Sequence, residues 1–176
     1  PMVIDPISEI ECETIVQAID VSSDGKWMAW GSEDGTVRIL DMSNSPKPLE
    51  PFNVEDSVTN IRFAHGEMVV VGTHTSDVYG HERLGGRRWT HSVGGGCDLM
   101  DISNNGTLIA CIDGGRHVHI MTENGVQRGR FSSGELIGLT VANDGTGIAV
   151  NDDEGHVYVL DSSGNLRWKR TPVQDD

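Results

Sequence analysis

Between Val16 and Asp41 the chain runs VQAIDV into Ser-Ser-Asp-Gly, KWMAWGS into Glu-Asp-Gly, and TVRIL into a closing aspartate. Short apolar runs parted by Asx-Gly turns predict strand, turn, strand, turn, strand. The pattern then recurs three times. The turn glycines Gly25, Gly66, Gly106 and Gly145 lie 41, 40 and 39 residues apart. Before each turn stands a large aliphatic residue, Ile19, Ile61, Met100 or Leu139. Two residues on come Val21, Phe63, Ile102 and Val141, which share its face in a period-two strand.

The second run of each repeat (WMAWG, MVVVG, LIACI, GIAVN) is continuous and apolar, which predicts strands buried on both faces. Polar tips SEDG, THTS, DGGR and DDEG follow, then alternating third strands TVRILD, SDVYGH, HVHIMT and HVYVLD. A fourth strand reads clearly in RRWTH, QRGRF and LRWKR, while PKPLEPF in the first repeat holds three prolines and predicts a poor, exposed edge. No stretch carries helical periodicity of useful length.

Four short strands every ~40 residues predict an all-β fold, a β-propeller of about four four-stranded blades. A β-sandwich also turns every 8–12 residues or so, yet it does not require register-keeping repetition of glycine and aliphatic positions. The blades span approximately 16–54, 55–96, 97–134 and 135–172 of a single domain covering 1–176. Three assemblies follow: a ring closed by one chain, part of a larger ring made by a homodimer, or a fragment of a longer propeller. Residues 1–15 supply a candidate closing strand at Met2–Asp5, pairing within the chain or with another.

DVSSDGKWMAWGSEDGTVRILD resembles a WD repeat, with Leu40-Asp41 and Leu160-Asp161 standing where such repeats end in Trp-Asp. The second and fourth repeats, with VYGHERLGGRRWTHSVGGG and VYVLDSSGNLRWKR, are more similar to quinoprotein-type blades. The resemblance covers residues 16 to about 171 and implies the propeller fold. It also implies that loops from second to third strands and from fourth to first strands share one face.

Net charge is −14, from 27 acidic residues against 13 basic ones. That repels phosphate backbones and makes nucleic acid an unfavoured partner. The acidic excess fits both a halophilic protein and an ordinary acidic domain. No window is apolar enough for a membrane span. Cys12, Cys97 and Cys111 form no CxxC pair, and Cys111 lies in an apolar run, the pattern of buried free thiols in a reduced, cytoplasmic protein.

The shared loop face carries Ser32, Glu33, Asp34, His74, Asp77, Asp113, Arg116, Asp152, Asp153 and Glu154. It is read as a recognition surface for a protein or peptide, and for a basic or polar one in particular. Exchanging Asp152, Asp153 and Glu154 for their amides is expected to weaken that partner without unfolding the domain. His117 and His119, with His156 in the equivalent place, are weak metal candidates that want a third ligand such as Asp113, Asp152 or His74. Asp152-Asp153-Glu154 lacks calcium-loop spacing, and Gly94-Gly95-Gly96 has no helix after it to cradle phosphate. Nucleophile motifs are missing as well. The expectation is therefore a noncatalytic interaction scaffold with no cofactor. Behind it stand a carbohydrate- or small-ligand-binding propeller, with Trp27, Trp30, Trp89 and Trp168 as stacking rings, and a fragment of a quinoprotein-like enzyme. Against the stacking ring, the same tryptophans suit packing between blades.

Overall fold

Alternating apolar residues and Asx-Gly turns produce seventeen strands in a computed structural model that describes residues 10–43, 46–64 and 67–172. The first sheet holds β1 (Val16–Val21), β2 (Trp27–Ser32), β3 (Thr36–Asp41), β4 (Lys47–Pro48) and β5 (Phe52–Asn53). The second holds β6 (Val58–Ala64), β7 (Met68–Thr73), β8 (Asp77–Glu82) and β9 (Arg87–Ser92). The third holds β10 (Leu99–Ile102), β11 (Leu108–Asp113), β12 (His117–Thr122) and β13 (Gln127–Ser132). The fourth holds β14 (Leu136–Val141), β15 (Gly147–Asp152), β16 (Val157–Asp161) and β17 (Leu166–Arg170). Every pairing is antiparallel and joins neighbours in sequence, except that β5 pairs β3 past β4. Four such sheets are consistent with propeller blades. The described residues contain no helix. The Met2–Asp5 strand and the Gly66 turn lie outside the described residues.

Turn chemistry shapes each sheet locally. Gly25, Gly106 and Gly145 take the positive φ their register predicts. Beside them Asp24, Asn105 and Asp144 accept a backbone N–H two residues on. Prolines act as expected in the first sheet. Its fourth place is split into β4 and β5, two residues each, both paired with β3.

The sheets stand in sequence order, with β1 beside β6, β6 beside β10 and β10 beside β14. β6, β10 and β14 drive their apolar side chains into the sheet before them. Val58 and Ile61 pack on Ala29, Val37 and Ile39, Met100 packs on Met68, Val70 and Val78, and Leu136 and Val141 pack among Leu108, Ala110, Val118 and Ile120. Full burial of one such Ile or Leu contributes about 1.5–3 kcal/mol. Polar bonds repeat too: the Asp20 carboxylate accepts the Phe63 N–H at 2.8 Å, and Asp101 accepts the Val141 N–H at 2.7 Å. Trp89 closes the second seam from outside, donating its indole N–H to the Glu123 carbonyl at 2.9 Å. Thus Trp89 packs between sheets. Trp27 lies under the Arg83 guanidinium, Trp30 is buried, and Trp168 is exposed.

One expectation holds for only half the molecule. β7 and β11 are buried along their whole length, as continuous apolar strands should be, but β2 and β15 are not. The middle sheets have a neighbour on either face. Among the described residues the first and fourth sheets have one neighbouring sheet each, which leaves one face of each without a sheet against it. Cys97 and Cys111 are buried free thiols in the second seam, and Cys12 is a half-buried free thiol. A hydrogen bond with Cys111, then burial, pushes the Cys97 thiol well above its usual range.

Candidate functional site: a stitched loop face

At one end of the four sheets, the turns between second and third strands meet the linkers between sheets. Val54 N–H donates to the Gly35 carbonyl, while Thr75 N–H and hydroxyl both donate to Asp56 at 2.9 and 2.7 Å. The linker 54–57 therefore ties the turns of two sheets together. The next linker is held by Cys97 N–H on the Thr73 carbonyl. In the last, Leu136 N–H donates to the Gly115 carbonyl, and Asp153 N–H donates to the Glu135 carbonyl. Such cross-ties present neighbouring tips as one surface, which independent loops would not do.

Beneath the tips lies an inward-turned polar layer. Asp113, at the end of β11, accepts the His117 N–H at 3.0 Å and meets His117 Nδ1 at 2.7 Å and His119 Nε2 at 2.8 Å. Arg130 of β13 stands 3.5 Å from the same carboxylate. One sheet on, Asp152 accepts the His156 N–H at 2.8 Å and the Tyr158 hydroxyl at 2.8 Å, with His156 Nδ1 at 2.9 Å from the same oxygen that takes the hydroxyl. Ser133, from the preceding linker, donates to Tyr158 at 2.7 Å. Burial works against the Asp152 charge, yet these donors hold its carboxyl below the usual range. In the second sheet Thr73 takes the aspartate's place and bonds Asp77 through both N–H and carbonyl. In the first sheet the corresponding Ser32 hydroxyl is buried without a partner.

No protein-family model matches the chain, and no curated protein matches it either. His117 and His119 do share a face, as strand alternation requires, and Asp113 is the acid beside them. Both imidazoles are directed onto that carboxylate. Among the described residues, no three or more His, Cys, Asp or Glu are grouped to hold a metal ion.

The ten predicted face residues divide into two sets. Asp113, Asp152 and Ser32 are buried, and Asp77 is half-buried under the tip. Glu33, Asp34, His74, Arg116, Asp153 and Glu154 are exposed. The linkers add exposed Glu55 and Glu135 and half-buried Asp56. Glu55 takes a positive φ of 66°, and its N–H donates to the Asn53 side chain. Sequence reading missed Glu55 and Asp56 because the proline-broken strand hid where the first linker begins. Their place 20 and 21 residues after the end of the SEDG tip was the available signal. The exposed set is acidic except for His74 and Arg116.

Proposed function

We propose that the chain is a noncatalytic β-propeller module, each sheet a blade, whose stitched loop face docks a basic protein or peptide. One observation carries this reading: the buried aspartates and linker bonds fix the tips, while Glu33, Asp34, Glu55, Glu135, Asp153 and Glu154 project outward on the same end. A predominantly acidic surface whose tips are tied together focuses its field on a cationic partner and loses little entropy on binding. WD-type and quinoprotein-type repeats remain the family reading of the blades.

The test is capture from native lysate with the immobilised protein, followed by titration of what is recovered. Replacing Glu33, Asp34, Asp153 and Glu154 by their amides should weaken a basic partner roughly tenfold without lowering the melting midpoint. Unaltered affinity, or glycan binding with no protein recovered, removes the reading. Asp152 does not belong in that exchange. Its loss strands the His156 N–H and Tyr158 hydroxyl, so Asp152→Ala should cost about 2–4 kcal/mol of stability by urea denaturation.

A further inference from the structure

Three seams join the four sheets, and all use the same positions. Facing forward are Ala29, Val37 and Ile39 of the first sheet, Val70 and Val78 of the second, and Ala110, Val118 and Ile120 of the third, none more than 2% exposed. Their counterparts in the fourth sheet, Ala149, Val157 and Val159, are only half-buried. Trp168 occupies the place of Trp89 and is 52% exposed. Facing backward, Val58 and Ile61 of β6 are fully buried, whereas Val16 and Ile19 at the same places on β1 are 40% and 58% exposed. Ile19, Met28 and Trp30 line an open groove on that face, together with Ile10 and Cys12 from the approaching chain.

The two faces with no described sheet against them thus match the two halves of the seam that already holds the sheets together. We propose that the fourth sheet of one chain seats the first sheet of a second copy, head to tail, and that the reciprocal seam closes two chains into one ring. Each chain carries both halves in the register of its internal seams, so one copy covers both faces of another at once. An unrelated partner would need a separate surface for each. Contacts of this kind are heterologous, and closure is what keeps them from growing into fibres.

The seam between copies differs from the internal ones in two contacts. Within the chain, His91 of β9 meets His119 edge-on with ring centroids 6.0 Å apart, and Phe131 of β13 meets Tyr158 at 5.2 Å. The corresponding residues across the new seam are Arg170 and Arg38, two guanidiniums. Thr140 also stands where Asp20 and Asp101 accept the neighbouring strand's N–H. The joint between copies is apolar near β1 and like-charged outside, so it is weaker than the internal seams.

Sedimentation equilibrium of the 176-residue protein tests this. A discrete two-chain species is expected. A monomer at roughly 100 μM, or open-ended growth, overturns the proposal. Ile19→Arg and Val159→Arg each break both seams of a self-pair and should sediment as single chains with unchanged circular dichroism. Mixed together they retain one intact seam and should form a two-chain species. Absence of that complementation also overturns it. Arg170→Glu replaces a like-charged pair with an opposite one and should tighten association roughly two- to fivefold; no change or weakening rejects the assigned register. None of these residues lies on the loop face, so partner binding and chain pairing fail or succeed separately.

Discussion

His81, on β8, stacks against Phe52 with ring centroids 4.0 Å apart and planes 11° from parallel, and neither ring nitrogen has a hydrogen-bond partner. Burial, with Arg87 adding repulsion, lowers its pKa from 6.5 to about 4. Between those values the unfolded chain binds a proton that the folded chain refuses. The contribution to stability is full above pH 6.5 and falls as pH drops toward 4. It amounts to about 1–3 kcal/mol. Urea denaturation at pH 7.5, 6 and 5 should show this slope, and His81→Phe, which keeps the stacking, should reduce it to the part left by His91, whose burial also lowers its pKa. A variant with an unaltered slope would assign the acid sensitivity elsewhere. Asp56, Asp144 and Asp152 do not share the window. Their lowered carboxyls stabilise the fold above the ordinary 3.8 and release that stability only below it.

At the scale of elements, the linkers decide how sheets meet. Gly96, in the linker between β9 and β10, has φ of 79°, and a Cβ there would run into the His74 carbonyl. Gly25 has φ of 70° with open space around it. Gly25→Ala should therefore cost only left-handed strain, about 1 kcal/mol. Gly96→Ala adds displacement of the loop face and should cost at least about twice that, read as a lower midpoint in thermal unfolding. Equal losses would show that the linker yields freely.

These elements were legible because their turn chemistry is local: an Asx-Gly pair announces itself wherever it stands. The 40-residue register of Ile19, Ile61, Met100 and Leu139 carried the sheet order as well. Burial was not local. WMAWG reads as apolar as LIACI, yet only β11 has a sheet on each face, and no property of five residues records how many neighbours their sheet will have. The loop site split for a similar reason. Asp152 and Asp153 look alike in DDEG, and strand alternation at the end of β15 turns the first inward to Tyr158 and the second outward.

For the molecule as a whole the governing quantity is net charge of −14 on one 176-residue chain. Attractive pairs do little to offset it: Lys26–Asp24 and Arg88–Glu82 are both solvent-exposed, and such pairs contribute less than about 1 kcal/mol. Screening therefore removes more repulsion than attraction. Going from 0.01 to 1 M NaCl shortens the Debye length from about 30 to 3 Å. Stability should rise by about 1–2 kcal/mol, or roughly 3–8 °C in thermal midpoint. The form of the curve separates causes. Screening of self-repulsion saturates within the first few tenths molar, whereas exclusion of salt from the surface keeps growing with concentration. Calorimetry across that range with sodium and potassium chloride should give the saturating curve, nearly the same for both. A midpoint that stays flat would mean that the acidic side chains stand far enough apart to be harmless in dilute buffer. It would then favour an ordinary acidic domain over one built for high salt.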